Sequence, residues 1–153
     1  MKEKFLALIF AVGAFSMFGG TVFAQRNVTP VIDRDPVMEA DAKHNLDVAW
    51  QSYKLKKAYK GVLMRFEETY AAYPDFSKID EFLYLAGMSS HYLSINKGKQ
   101  VVDLNLEKEK EKFAPEKLKE DAIAYFWTIV EKYPDSQYKN EAVKMLALLK
   151  PGK

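Results

Sequence analysis

The sequence predicts an all-α protein: a short α-solenoid of about five antiparallel helices, preceded by a signal peptide. Three observations predict it. Apolar residues recur with a period near 3.6 along most of the chain, the spacing of one buried helix face. A helix, a Tyr-Pro-Asp corner and a second helix occur twice, with Tyr133 following Tyr73 by 60 positions, and repetition of a helix–turn–helix unit marks a solenoid. Only 7 Gly and 6 Pro interrupt the 153 residues, too few for a loop-rich or all-β chain.

Composition narrows the function classes. Hydrophobic residues make up 48% of the chain, enough for a core in one ordinary domain. Lys and Arg number 23 against 21 Asp and Glu, a net charge of +2. That balance provides no broad cationic field to hold a phosphate backbone, so nucleic acid is not an expected partner. The sequence has no Cys. Disulfides, thiolate zinc sites, haem attachment and a cysteine nucleophile are excluded together, and no Cys is present to carry a lipid at the mature start.

The first segment reads as an export signal. Lys2 and Lys4 form a basic start, Phe5 to Phe18 is almost wholly apolar, and Gly19-Gly20 breaks the run before Val22-Phe23-Ala24. This is the three-part secretory pattern. Cleavage is expected after Ala24, leaving Gln25 as the mature N-terminus. An uncleaved anchor is the alternative, but the apolar run is shorter than the roughly 18 residues that a spanning helix needs. Residues 25–35 read as a flexible leader, and 36–150 as the helical repeat domain with an insertion at about 99–118.

The helices follow in order. Asp35-Pro36 is a helix start, since Asp accepts from orphan N–H groups and Pro suits the first helical position. Leu46, Ala49, Trp50 and Tyr53, then Tyr59, Val62, Leu63, Phe66, Tyr70 and Tyr73, form one apolar stripe. The lysines between them suggest two helices that meet near Lys57. Tyr73-Pro74-Asp75 ends the second, because Pro cannot continue a helix. Ser77 with Asp80 reads as a capping box for the next helix, which buries Phe82, Leu83, Leu85, Ala86, Tyr92 and Leu93 and is closed by Gly98. Residues 100–114 leave a short β excursion, a charged helical extension and a mobile loop open; the EKEKEK run within them (Glu107 to Lys112) reads first as a solvated face and second as a partner-docking insertion. Pro115 restarts a helix that buries Leu118, Ala122, Ile123, Phe126, Ile129, Val130 and Tyr133. Tyr133-Pro134-Asp135 ends it, and a last helix from about Tyr138 buries Ala142, Val143, Leu146 and Leu149. Both Tyr-Pro-Asp corners read as structural turns.

The repeated segments resemble a known family. Ala122, Ile123, Phe126, Ile129 and Pro134 fit the second helix and closing Pro of a tetratricopeptide repeat, and Val62, Phe66, Thr69 and Pro74 hold the same places in the first copy. Leu83, Ala86 and Gly87 suit a first helix, where small residues let helices approach. The wording from Asp121 to Ala142 looks most like the outer-membrane assembly lipoproteins of the BamD type, and is similar to the periplasmic repeat proteins of the Tol–Pal system. The resemblance implies an exported, non-catalytic adaptor or scaffold of the cell envelope, with a role in outer membrane biogenesis. Its location is then periplasmic or peripheral to the outer membrane, and its partners are other envelope proteins or peptides. A spacing of 60 exceeds the usual repeat of about 34 residues, so about 26 are inserted between the copies.

Candidate binding residues come from the same register. Trp50, Tyr53 and Tyr84 lie on first helices, which face the concave side of a tetratricopeptide array, and rigid amphipathic rings make good anchors. An aromatic stripe at helical spacing also serves as core. His44 and His91 are the only histidines, and their spacing matches no metal motif. No nucleophile elbow, phosphate loop or dinucleotide fingerprint occurs. No cofactor, metal, small-molecule substrate or enzymatic activity is expected. A self-associating structural module is one alternative to an adaptor, because so short an array has few internal interfaces, and an envelope enzyme with an unrecognised site is the other.

Overall fold

A computed structural model describes residues 34–150. The expected signal, the expected Ala24–Gln25 cleavage point and residues 25–33 of the expected leader lie outside the described residues. Among the described residues six α-helices follow in order: α1 Pro36–Gln51, α2 Tyr59–Ala72, α3 Ile79–Ser94, α4 Glu107–Phe113, α5 Pro115–Lys132 and α6 Lys139–Leu149. Five of them are the expected solenoid helices, and α4 is a short addition. No strand occurs among the described residues, so the β excursion at 100–114 is not formed.

Asp35 caps α1: its carboxylate accepts from the Val37 N–H at 2.8 Å and the Met38 N–H at 3.3 Å, with Pro36 in the first turn. At its far end α1 widens into a π-helical turn, Ser52–Lys56, and the chain reverses at Lys57, which adopts a left-handed φ of 51°. The two helices do meet near Lys57.

The two proline corners share one hydrogen-bond scheme, displaced by 60 residues. The Tyr73 N–H bonds the Thr69 carbonyl at 2.8 Å, and the Tyr133 N–H bonds that of Ile129 at 3.0 Å. Phe76 to Tyr73 and Ile79 to Phe76 match Ser136 to Tyr133 and Lys139 to Ser136. Each Tyr is extended because the following Pro excludes the α region. The chain then turns twice before the next helix begins.

Four expectations are corrected here. Ser77 does not cap α3: the helix begins two residues later without a side-chain cap, and the Ser77 N–H instead donates to the Glu39 carboxylate of α1 at 3.2 Å. Asn96, with φ 57°, supplies the left-handed closure of α3, while the Lys97 N–H returns to the Tyr92 carbonyl. Gly98 has φ 111° but serves packing, since a Cβ there would meet the Tyr59 ring at 2.7 Å. Tyr70 is exposed rather than buried. So is Val143.

Central helix α3 packs most heavily on α5 and next on α2, while α1 lies against α2 and α6 against α5. Phe66, Phe82, Leu83, Leu85, Ala86, Phe126 and Ile129 fill the seams between them. Gly87 is a point of close approach: a Cβ added there would lie 2.8 Å from the Phe126 ring. The helices α1, α3 and α6 thus occupy first-helix positions, and α2 and α5 occupy second-helix positions.

The insertion between α3 and α5 is held on α2. The Lys60 ammonium donates to the Glu109 carboxylate at 2.7 Å and to the Val101 carbonyl, and Glu109 also accepts from the Asp103 N–H at 2.7 Å. Lys112 pairs with Glu67, and the Gly61 N–H donates to the Gln100 amide oxygen at 3.1 Å. Two charges of the EKEKEK run therefore cross to α2, and the run is more than a solvated face.

Candidate partner-binding face

Three half-buried aromatic side chains expected to bind a partner lie on the first-helix side: Trp50 on α1, Tyr53 in the π-helical turn and Tyr84 on α3. Trp50 and Tyr53 meet edge to face, with centroids 5.7 Å apart. Lys54 stands 4.2 Å from the centre of the Trp50 ring, in cation–π range. Tyr84 is not stacked on either of them. It stacks on Tyr138, at the start of α6, with centroids 4.7 Å apart and planes 21° from parallel.

Glu81 lies by both groups. Its carboxylate accepts the Trp50 indole N–H at 2.7 Å and lies beside the Tyr138 hydroxyl. One carboxylate of α3 therefore bonds the end of α1 and faces the beginning of α6. Burial, and then the Glu81 charge, push the Tyr138 hydroxyl up to about 12. Towards the other end of α3, Tyr53, Tyr59 and Tyr92 form a ring cluster with centroids 5.2–6.1 Å apart. Burial raises Tyr53 most, and the neighbouring Tyr92, Tyr84 and Tyr59 hydroxyls add to it. The Tyr138, Tyr53 and Tyr59 hydroxyls, all raised, stay neutral near pH 7 and remain hydrogen-bond donors.

The first-helix side thus carries a set of aromatic rings with the Glu81 carboxylate among them. Sequence reading missed Glu81, Tyr138, Tyr59 and Tyr92 as members of it. Glu81 is visible in the sequence only as the position that matches Glu141. Tyr138 precedes its helix, so helical periodicity does not reach it. The second-helix side has its own recess of about 360 Å³ between α2 and α5, lined by Phe66, Tyr70, Leu83 and Tyr125 among others. Among the described residues, no group of three or more potential ligands is placed to hold a metal ion.

Comparison with known families decides the ancestry of this arrangement. A family model described as YfiO, outer membrane lipoprotein, matches residues 22–152, which include every described helix. The chain belongs to the YfiO family. No curated protein and no solved structure matches it. As a YfiO-family chain it is a BamD-type, tetratricopeptide-like envelope protein, as the repeat wording implies. At the level of the family, its setting is the periplasm and outer membrane, and its role is contact with other envelope proteins rather than catalysis. Among the described residues no helix is long and apolar enough to cross a membrane.

Proposed function

We propose that the chain is a non-catalytic adaptor of outer membrane assembly that receives an extended segment of another envelope protein on its first-helix side. The observation that carries this reading is the Trp50–Glu81–Tyr138 cluster with Tyr84 stacked against it. Such an arrangement holds large, stiff rings at fixed spacing with little entropy left to lose on binding. Glu81 gives this set of rings an acceptor for a partner's backbone N–H or basic side chain, and the neutral tyrosines add donors. The insertion, pinned by Lys60, lies beside Tyr59.

The test is affinity capture from an envelope extract, with the wild-type chain compared with a Trp50→Ala, Tyr84→Ala double variant. Recovery of barrel-assembly components by the wild type and their loss with the variant is the expected result. Recovery of the same set by both proteins removes this face from the binding surface, and no reproducible envelope partner for either removes the adaptor reading.

A second reading has an observation of its own. On the last helix, Val143 is 48% and Leu148 67% exposed, and Trp127 on α5 is 44% exposed. A second copy covering this side would make the protein a self-associating module. Sedimentation across a concentration series separates the readings, because a monomer at every concentration excludes self-association.

A further inference from the structure

One end of the first two hairpins combines charge and exposed apolar surface in a way that the aromatic set does not use. The π-helical turn and its exit carry Lys54, Leu55, Lys56 and Lys57; the segment after α3 carries Ile95, Lys97, Lys99 and Val101. The Lys99 N–H donates to the Lys57 carbonyl at 3.0 Å, which joins the two segments side by side. Gly98 packs close to the Tyr59 ring and the Gln100 side chain accepts from the Gly61 N–H, so the juxtaposition is built in.

Neither segment, 52–58 or 95–102, contains a carboxylate. Among the described residues none of the five lysines is in an ion pair; Lys54 and Lys97 lie over the Trp50 and Tyr92 rings. The flanking acids are bonded elsewhere: Asp47 pairs with Lys43 at 2.8 Å, and Asp103 accepts from Asn105 at 3.0 Å. In a chain whose net charge is only +2, this end concentrates positive charge. Between the lysines stand three isolated aliphatic side chains: Leu55 is 75%, Ile95 48% and Val101 74% exposed.

We infer that this end is a contact surface for an anionic phospholipid bilayer. Clusters of four to eight lysines or arginines attract acidic headgroups, and separate aliphatic tips can enter the headgroup boundary while lysine stems bend outward. An acidic protein would answer the charge but would leave three scattered aliphatic tips without a common pocket. A bilayer surface accepts both at once.

The test is flotation of the full chain with vesicles of phosphatidylcholine alone, and with vesicles of phosphatidylcholine and phosphatidylglycerol in equal parts. The comparison protein carries Lys56→Gln, Lys57→Asn and Lys99→Gln, all exposed positions whose exchange should leave the helical circular dichroism unchanged. Both proteins keep the N-terminal apolar segment, so the difference between them reports this end alone. The expected result is preferential binding to the anionic vesicles that weakens as salt is added. The variant should bind them more weakly by about two orders of magnitude, at about fivefold per lysine. A Leu55→Gln variant should weaken binding further at fixed charge. Equal binding to both vesicle types, or anionic binding unchanged in the triple variant, would overturn the inference. Capture of an acidic envelope protein through these lysines, without vesicle binding, would overturn it in favour of a protein partner.

Discussion

The Trp50 indole N–H donates to the Glu81 carboxylate at 2.7 Å, across a boundary where α1 and α3 otherwise share few contacts. The first hairpin is held mainly through α2, so this bond and the Ser77–Glu39 bond together hold α1 against α3 and the corner before it. A hydrogen bond to a charged acceptor is worth about 1.5–3 kcal/mol when well buried, and less at this half-buried position. Trp50→Phe keeps most of the apolar contact and removes the donor. It should lower the urea unfolding free energy by about 1–2 kcal/mol. Glu81→Gln retains an acceptor at the same place and should cost about half as much. An equal loss in both variants would show that the carboxylate charge, rather than the bond, carries the effect.

Gly87 and Phe126 set the spacing of the two most extensively packed helices. A Cβ at Gly87 would fall 2.8 Å from two carbons of a fully buried ring. Gly87→Val should therefore destabilise the fold by about 1–3 kcal/mol through overpacking, despite the better helix propensity of Val. Adding Phe126→Leu makes room, and the double variant should recover part of the loss. Simple additivity of the two costs in chemical denaturation would contradict the contact.

Both the Gly87 approach and the proline corners are legible in the sequence, because each depends on a local rule that a single residue type obeys. Gly and Ala stand where helices touch, Pro stands where a helix ends, and Asp35 stands before a Pro where a helix begins. The sequence was less informative where tertiary partners decide. Ser77 has the residue type and spacing of a cap, yet Glu39 from another helix takes its N–H. Asn96 precedes the more obvious Gly98, and the reason for Gly98 is the Tyr59 ring it must pass. Glu81 among the aromatic rings was hidden for the same reason: its donor comes from 31 residues earlier and its other neighbour from the start of the following hairpin. Val143 and Tyr70 fit helical periodicity but are exposed, since period alone does not tell whether a neighbouring helix is present to cover a face.

The insertion should respond to acid through Glu109. The Lys60 ammonium bonded to its carboxylate, and then the Asp103 N–H, hold Glu109 below the ordinary glutamate range. A carboxylate with a depressed folded pKa contributes stability above its unfolded pKa and loses it as pH falls through the folded value. Residues 101–113 should therefore loosen from α2 below the usual glutamate range, at about pH 4 and lower. The protection factor of the Asp103 amide, its exchange corrected for the intrinsic pH dependence, should fall over that interval before the main helices open. Lys60→Met should raise the exchange already at neutral pH and flatten the acid dependence. The same acid response in Lys60→Met would mean that a group other than Glu109 controls the insertion.

Alkali should act on the other side of neutrality through the tyrosines. Burial is the leading cause that raises Tyr138 and Tyr125 to about 12, with Glu81 next for Tyr138 and Asp121 next for Tyr125. Tyr53 is shifted in the same direction by burial and its tyrosine neighbours. For these groups the unfolded chain ionises first. Their stabilising contribution is whole below pH of about 10, the ordinary tyrosine value, and is lost as pH rises towards the folded values. The thermal midpoint should thus hold steady to about pH 10 and fall steeply above it. Tyrosinate absorbance from Tyr53, Tyr125 and Tyr138 should appear only as the fold opens. Tyr138→Phe removes one shifted group and the hydroxyl beside Glu81. The fall should then become shallower while the midpoint at neutral pH changes little, because the stack on Tyr84 is kept. If the alkaline slope were the same in Tyr138→Phe, the hydroxyl would not be buried beside Glu81 in solution, and the bridge between α3 and α6 would rest on ring stacking alone.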